Sequence, residues 1–256
     1  MRRFYQESWQ GIPFTSFSHI SFFHLAEPRF YAVFYEELFR RYQHWDDLPA
    51  VWRANKTKDA KWLAERLQRR IDALPEPPDR PVRVLSIGSG VGFMEKVLLD
   101  VFPGIEMHVN EPSTVGMKWL RAFIPPERIY IGFAPVCLPP DVQYDMIYLS
   151  TVDYGIPTRE LTRLFRELRA QLAPGGEIVC LSASLLEEDS FVGGFVNAIK
   201  IFIRGILHFC GIRRQQFWGW RRTRAEYVRL FQQAGLKEIT DGYLDDGFDT
   251  YWIRGE

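Results

Sequence analysis

The sequence predicts an α/β fold in which helices cover both faces of a mostly parallel sheet. Beyond residue 81, short apolar runs alternate with helical stretches, the first run ends in closely spaced glycines, and the last segment has the pattern of a β-hairpin. Such alternation requires crossover connections, which place helices on both faces of parallel strands. The 256 residues, 46% of them hydrophobic, are enough for one full-sized core with an accessory element.

Composition excludes several functional classes. The 32 basic and 32 acidic side chains cancel, so the chain lacks the charge on which nucleic-acid binding rests, and we expect no nucleic-acid partner. Cys137, Cys180 and Cys210 are odd in number and show no CxxC spacing, which favours neither a disulfide framework nor a zinc site, and no metal is expected. We expect a cytoplasmic protein, because the N-terminal segment has no apolar run of signal-peptide length.

Residues 1–77 are predicted to form an aromatic-rich helical cap. Fifteen of the first 55 residues are aromatic, and many recur at helical spacing. A second, amphipathic helix is expected over residues 57–74. The sequence PEPPDRP at 75–81 cannot continue this helix, because each proline lacks a backbone donor and restricts the residue before it. The main domain is therefore placed at 78–256.

The main domain is predicted to contain five strands that alternate with helices, then a helical insertion at about 185–222 and a terminal hairpin. The strand runs are VRVLSIG, IEMHVNE, RIYIGF, YDMIYLS and GEIVCLSAS, and TRELTRLFRELRAQL is the longest helical run between them. In the hairpin, Asp245, Asp246 and Gly247 are turn formers between two β-rich runs. An antiparallel edge therefore closes the sheet.

The insertion combines apolar and basic residues. A polar stripe of Asn197, Lys200, Arg204 and His208 makes a membrane span improbable. Residues 190–230 contain eight basic side chains against one acidic one, a net charge of +7. Three interpretations stay open: internal pairing with acidic residues near the C-terminus, binding of an anionic acceptor, or peripheral contact of residues 191–222 with an anionic membrane.

The glycine-rich segment VRVLSIGSGVG carries the most functional information. Gly88, Gly90 and Gly92 follow a β-rich run and precede a helix, and glycines there let the backbone turn tightly and approach a ligand. A dinucleotide fingerprint would require glycine at position 93, which is Phe93, so a pyrophosphate ligand is disfavoured. The alternative is an ordinary turn between a strand and a helix.

An acidic residue supports the ligand-binding interpretation. Glu111 ends the next strand, 21 residues after Gly90, where a carboxylate can accept both hydroxyls of a ribose. Together with YDMIYLS, the LAPGG segment at 172–176 and the terminal hairpin, the region from about residue 78 to the end resembles the class I S-adenosylmethionine-dependent methyltransferases. The resemblance implies a Rossmann-like, seven-stranded sheet with an antiparallel last strand and S-adenosylmethionine across the carboxyl ends of the first two strands.

The resemblance also implies site residues. They are Gly88, Ser89, Gly90 and Gly92 under the methionine portion, Glu111 at the ribose, and Ser150, Thr151 and Asp153 facing the methyl group and the acceptor. Pro112, Phe133 and Ala134 are further candidates for binding the cofactor. Two positions depart from the family. Ser86 stands where an acidic residue is usual, and Phe133 replaces an acidic residue that often meets the adenine amino group. Phe133 either packs on the adenine face or belongs to the core.

The predicted reaction is methyl transfer by in-line displacement in a lidded pocket. The acceptor is expected to be small or medium-sized, and it is anionic if the basic insertion binds it. Oxygen is slightly favoured over nitrogen as the acceptor atom. Asp153 is the first candidate for a general base and His24 another, although each also fits an ordinary turn or packed residue. The first 55 residues and the insertion are expected to form the lid. Alternatives are a non-catalytic cofactor- or nucleotide-binding module, a methyltransferase acting on a lipid-linked acceptor at a membrane surface, and a nicotinamide-dependent oxidoreductase; no oligomeric state is predicted.

Overall fold

The computed structural model describes residues 2–6, 8–9, 12–13, 28–72, 80–186, 199, 202–203, 206–207, 210, 216–244 and 250–256. Its strands are β1 (Arg2–Gln6), β2 (Ser8–Trp9), β3 (Ile12–Pro13), β4 (Val82–Ile87), β5 (Ile105–Glu111), β6 (Ile129–Ile131), β7 (Tyr144–Ser150), β8 (Leu172–Ser182), β9 (Gln216–Arg221), β10 (Thr240–Tyr243) and β11 (Tyr251–Gly255). Its α-helices are α1 (Pro28–Arg41), α2 (Ala50–Asp72), α3 (Phe93–Val101), α4 (Thr158–Arg169) and α5 (Arg224–Gln233).

A seven-stranded sheet with the order β10-β11-β8-β7-β4-β5-β6 forms the centre of the described fold. Strands β4 to β8 pair in parallel, with Leu85 opposite His108 on one side and Ile147 on the other. Strand β11 runs antiparallel to both β8 and β10. The predicted fold class, including the antiparallel last strand, is confirmed. The predicted turn residues 245–247 lie outside the described residues.

Helices cover both faces of this sheet because its central strands are apolar on both sides. On one face α4 and α5 pack through Leu161, Phe165, Tyr227 and Phe231 against strand residues that include Ile147 and Cys180. On the other face α2 and α3 pack through Leu63, Leu67, Met94 and Leu98 against Val84, Met107 and Met146. The carboxyl ends of β4, β5 and β7 thus open at one edge, between helix layers.

Helix α2 is longer than predicted and belongs to the sheet's helix layer. It begins at Ala50 rather than at residue 57, and its apolar stripe, including Leu63, is buried against the sheet. An ion pair fixes it there: Arg66 donates to Glu177 on β8 at 2.6 Å, and Glu177 is only 1% exposed. The helix that the sequence analysis places in the cap therefore packs directly on the main domain.

Helix α1 and the segment after it form an aromatic cluster over the turn that follows β4. Phe34, Tyr35 and Phe39 are buried together with Val91 and Trp119. The Trp45 indole N–H donates to the Val91 carbonyl at 3.0 Å. The described part of the cap thus rests on the glycine-rich turn, and its aromatic rings face the carboxyl ends of the central strands.

The insertion differs from the prediction at its end. Residues 216–221, expected to be helical, form β9, which pairs antiparallel with β1 from Arg2 opposite Arg221 onward. The polar-stripe residues 197, 200, 204 and 208 lie outside the described residues. Within the part of the chain that the structure describes, no helix is both long and apolar enough to cross a membrane.

The connection between β5 and β6 differs from the predicted helix. The segment between β5 and β6, expected to be a helix, contains three 3₁₀ turns at Gly116–Lys118, Leu120–Ala122 and Pro126–Arg128. Its Gly116 lies against the Tyr35 ring, where a Cβ would come within 2.8 Å of a ring carbon. One basic residue of the 190–230 region pairs internally, since Arg224 donates to Asp241 at 3.0 Å.

Candidate active site

The turn after β4 is a tight glycine turn held against the end of β5. Gly88 has a φ of +69°, and a Cβ there would lie 2.6 Å from Cγ2 of Val152, so only glycine fits without a shift. The amides of Gly88 and Ser89 donate to the Asn110 carbonyl at 2.8 and 3.0 Å. Because these bonds tie the turn to β5, the turn and the last residue of β5 occupy fixed relative positions.

Glu111, that last residue, lies directly under the turn. Its carboxylate accepts from the backbone amides of Gly90 at 2.9 Å and Ser113 at 3.0 Å, and the Tyr35 hydroxyl lies 3.4 Å from Oε2. The side chain lines the cavity described below although Glu111 is only 2% exposed. Burial raises the pKa of Glu111 to about 7, against the opposing effect of these three hydrogen bonds.

A second buried carboxylate stands beside Ser86. Glu95, in the first turn of α3, accepts a hydrogen bond from the Ser86 hydroxyl at 2.5 Å and one from the Tyr148 hydroxyl at 2.7 Å. Burial raises the pKa of Glu95, while Ser86, Tyr148 and the charge of Lys56 lower it. An acidic group is therefore present next to position 86, but α3 supplies it. The sequence analysis missed Glu95, although its place in the first turn after the glycines was a usable signal.

A buried lysine joins α2 to the end of β7. The Lys56 ammonium donates to Asp59 at 2.9 Å and to the Ser150 hydroxyl at 2.7 Å. Thr151, the next residue, has a φ of +56°, and its hydroxyl donates to the Ser150 carbonyl. Sequence reasoning missed Lys56 and Asp59 as well, because helical periodicity alone shows them as part of a charged helix face.

Asp153 is placed differently from the prediction. Its carboxylate is completely buried and accepts from the Ser182 hydroxyl at 2.9 Å and from the Tyr227 hydroxyl. Burial raises its pKa, and the guanidinium of Arg222 donates to its backbone carbonyl at 2.8 Å. Asp153 does not line the cavity described below, whereas Val152 and Tyr154 do. This placement argues against the predicted role as general base, because a base must reach the acceptor proton.

The other predicted site residues lie mostly around one cavity of about 700 Å³. Predicted residues on its wall are Gly88, Ser89, Gly90, Glu111, Pro112, Phe133, Ala134, Ser150 and Thr151. Phe133 is 46% exposed there, which is inconsistent with the core alternative. Gly92 is not on the wall. It immediately precedes α3, and a Cβ at this position would collide with the Leu120 side chain. His24 lies outside the described residues.

These features fit a nucleoside with a polar tail. The volume is within the range of about 300–1,000 Å³ that is typical of small-molecule sites. A carboxylate for the ribose, a backbone without side chains at Gly88 and Gly90, and an exposed ring at Phe133 meet in it. Cap residues Phe34, Tyr35, Leu38 and Trp52 also line the cavity. The cavity therefore has one end set by the sheet and another by the cap.

Comparisons with known proteins agree with this geometry. Residues 60–243 match the family described as a methyltransferase domain. The fold is similar to human N-acetylserotonin methyltransferase in complex with SAM (17% identity, TM-score 0.54, 90% of this chain and 56% of that one). It is also similar to the mitomycin 7-O-methyltransferase MmcR (15% identity, TM-score 0.56, 93% and 60%) and to PigF with SAH (19% identity, TM-score 0.54, 90% and 60%).

The extent of these matches differs between the comparisons. The chain spans 56–60% of the length of the three solved structures named. No curated protein sequence matches the chain. The family match nevertheless covers most of the described sheet and the glycine turn with Glu111. The chain belongs to the class I S-adenosylmethionine-dependent methyltransferase family.

Proposed function

We propose that this protein transfers the methyl group of S-adenosylmethionine to a small or medium-sized acceptor, with an oxygen atom favoured over nitrogen. The observation that carries the proposal is the cavity that the glycine turn and Glu111 line together with aromatic residues of the cap. When bound, S-adenosylmethionine supplies a sulfonium methyl group; the new bond forms at the acceptor oxygen as the carbon–sulfur bond breaks, and the sulfur keeps that electron pair.

At the sheet end of the cavity, the proposed task is to hold the donor. The Glu111 carboxylate, which also accepts from the Gly90 amide, would accept the ribose hydroxyls of the donor. The exposed Phe133 ring offers a flat surface for adenine. Because Gly88 and Gly90 carry no side chain, they would leave room for the donor beside the backbone.

At the cap end, the proposed task is to place the acceptor and exclude water. Trp52, Tyr154 and Ile156 provide apolar surface in the cavity, which is also lined by the charged side chains of Arg163, Arg221 and Glu160. An acidic hydroxyl or a carboxylate beside these guanidinium groups is ionised near neutral pH and needs no general base. No histidine lies on the described cavity wall, so we propose that positioning and desolvation supply most of the acceleration.

The names of two similar structures support an oxygen acceptor. One of the similar structures is named a mitomycin 7-O-methyltransferase, and another was solved with apigenin as an O-methyltransferase of family 2 (17% identity, TM-score 0.50). Both names indicate oxygen acceptors, and mitomycin and apigenin are small molecules.

The test is label transfer from an isotopically labelled methyl donor. The protein is incubated with labelled S-adenosylmethionine and a cell extract, and mass spectrometry identifies any species that gains the label. We expect one labelled small molecule with the wild type and none with Glu111→Ala, whose ribose contact is removed. Tight binding of S-adenosylhomocysteine without label transfer to any species would instead support a non-catalytic binding module.

A second candidate acceptor is lipid-linked, and exposed apolar residues favour it. Ile199, Phe202, Ile203 and Ile206 are 43–70% exposed, and their spacing places them on one side of a helix. The 190–230 region that contains them carries a net charge of +7. Flotation with vesicles of phosphatidylcholine alone and with added phosphatidylglycerol tests this candidate. Binding to the anionic vesicles only, weakened in Phe202→Asp, would support it, and no binding to either would reject it.

A further inference from the structure

Tyr35, in the middle of α1, connects the cap to the carboxylate at the end of β5. Tyr35 is 7% exposed, and its hydroxyl lies 3.4 Å from Glu111 Oε2, the oxygen that also accepts from the Gly90 amide. Tyr35 and Glu111 both line the cavity. A residue of the cap, which the sequence analysis assigned to the lid over the acceptor, therefore also reaches the part of the cavity proposed for the donor.

Two glycines leave the space that this tyrosine occupies. A Cβ at Gly116 would come within 2.8 Å of Cε2 of the Tyr35 ring, and one at Gly90 would lie 3.3 Å from the Tyr35 hydroxyl oxygen. The φ of Gly116 is not positive, so its backbone conformation alone does not require glycine. The position of the Tyr35 ring therefore explains why residue 116 has no side chain.

Aromatic contacts and one hydrogen bond fix α1 over the glycine turn at 88–92. The Phe34 ring meets Tyr35 edge to face with centroids 5.3 Å apart, and Phe39 stacks on it at 6.2 Å. The Trp45 indole, in the segment after α1, donates to the Val91 carbonyl of the turn at 3.0 Å. Because these contacts restrain both the ring and the helix, the Tyr35 hydroxyl is held beside Glu111.

A hydroxyl at this place acts on the ionisation of Glu111. A phenol donates a hydrogen bond, and a carboxylate accepts it more strongly than a protonated carboxyl does. Burial raises the pKa of Glu111 to about 7, and the Tyr35 hydroxyl acts in the opposite direction. The ionised form offers both oxygens as acceptors, so it is the form that suits the two hydroxyls of a ribose.

We propose that Tyr35 is a positioning residue for donor binding, whose hydroxyl holds the Glu111 carboxylate in place for the ribose when α1 is docked on the glycine turn. The inference rests on the proposed function, since it takes the ribose of S-adenosylmethionine as the ligand of Glu111. It adds α1 to the donor site, so tight donor binding requires a docked cap. Gly116 takes part indirectly, because its small size admits the Tyr35 ring.

The pH dependence of donor binding distinguishes this role from a purely structural one. The glycine turn and the segment at 112–117 carry no ionisable side chain. The charge of Glu95, on α3, acts on Glu111 and raises its pKa, so Glu95 also contributes to the pH dependence. The Glu111→Gln background separates the two carboxylates. In that background, Tyr35→Phe should no longer change the pH dependence of binding, because the group on which the hydroxyl acts is absent.

Calorimetric titration with S-adenosylhomocysteine, at about pH 6 and about pH 8, compares the wild type with Tyr35→Phe and needs no acceptor. Wild-type affinity should rise with pH, because the ribose binds the ionised carboxylate. Without the hydroxyl, the midpoint of this rise should move to a pH about 0.5 higher. Tyr35→Phe should therefore weaken binding by about threefold at the lower pH and by less than about 1.5-fold at the higher pH. Tyr42→Phe is the matched control, since Tyr42 packs on the same aromatic cluster but is not on the cavity wall, and it should change neither affinity.

A second substitution tests the fit of the ring. Gly116→Ala should displace Tyr35 and weaken binding with the same dependence on pH, since its Cβ would collide with the ring. When Gly116→Ala is combined with Tyr35→Phe, the pH dependence should match that of Tyr35→Phe alone, because the hydroxyl is already absent.

The outcomes separate this inference from the proposed function. If Tyr35→Phe weakens binding equally at both pH values, or changes neither affinity, the inference is wrong while the methyltransferase proposal stands. A wild type that binds with an affinity independent of pH would overturn it in the same way. If Tyr35→Phe does not fold, Gly116→Ala decides. If the folded wild type does not bind S-adenosylhomocysteine, the proposed function fails and the inference fails with it.

Discussion

The Glu111→Gln substitution is expected to change how the free energy of unfolding depends on pH. Burial raises the pKa of Glu111 from 4.5 to about 7 in the folded protein. Between these values the folded state holds a proton that the unfolded state has lost, so stability falls as pH rises through this interval. The difference between the two pKa values of Glu111 corresponds to about 3 kcal/mol of stability. This stability is fully lost only above the folded-state pKa. Glutamine cannot ionise, so the variant escapes this loss.

Urea unfolding followed by tryptophan fluorescence, at about pH 5 and about pH 8, measures the effect. Losing one carboxylate oxygen as an acceptor for the Gly90 or Ser113 amide gives the variant a constant penalty at both pH values. The measured quantity is therefore the free energy of unfolding of the variant minus that of the wild type. This difference should be more favourable to the variant by about 2 to 3 kcal/mol at the higher pH than at the lower pH. A difference that is the same at both pH values would show that Glu111 ionises normally and that the reasoning from burial is mistaken.

Three further substitutions test the turn and the buried network. Gly88→Ala should cost about 1–3 kcal/mol of stability in urea unfolding, because its Cβ would collide with Val152. It should also weaken S-adenosylhomocysteine binding by about tenfold or more. The control is Gly104→Ala, whose Cβ would have no atom within 4 Å and which should change stability by less than about 0.5 kcal/mol. Arg222→Lys should cost about 2 kcal/mol or more, since lysine cannot donate to the carbonyls of both Asp153 and Ile156 as the guanidinium does; an unchanged midpoint in urea would contradict this. Asp153→Asn should lower stability by about 1–3 kcal/mol while turnover per folded molecule stays within about twofold, and a tenfold loss of turnover at unchanged stability would restore Asp153 as the candidate base.

The periodicity of apolar residues in the sequence was sufficient to predict the parallel strands of the central sheet. The apolar run at 82–87 and its successors are buried on both faces in the parallel sheet, as continuous apolar runs between helices predict. The relation between Gly90 and Glu111 was also visible, because the spacing of one strand–helix–strand unit brings the ends of adjacent parallel strands together. The structure shows the corresponding hydrogen bond at 2.9 Å.

Contacts between elements that are distant in the chain could not be predicted from the sequence. Strand β1 pairs with β9 across more than 200 residues, and this pairing makes a strand of a segment that its local composition assigned to a helical insertion. Helix α2 reads as a surface helix from its mixed charges, yet Arg66 binds the buried Glu177 and fixes the helix to the sheet. Neither partner can be identified from the neighbouring residues along the chain.

The sequence by itself determined the central parallel strands, the positions of the glycine turn and Glu111, and hence the family to which the chain belongs. These features depend on local periodicity and on spacing within one crossover unit, which the chain encodes directly. Only the tertiary structure decided that the Glu95 carboxylate accepts a hydrogen bond from Ser86 and that Asp153 faces Tyr227 instead of the cavity. The direction of a buried side chain is set by which donors and rings pack around it, and those come from elements far apart in sequence.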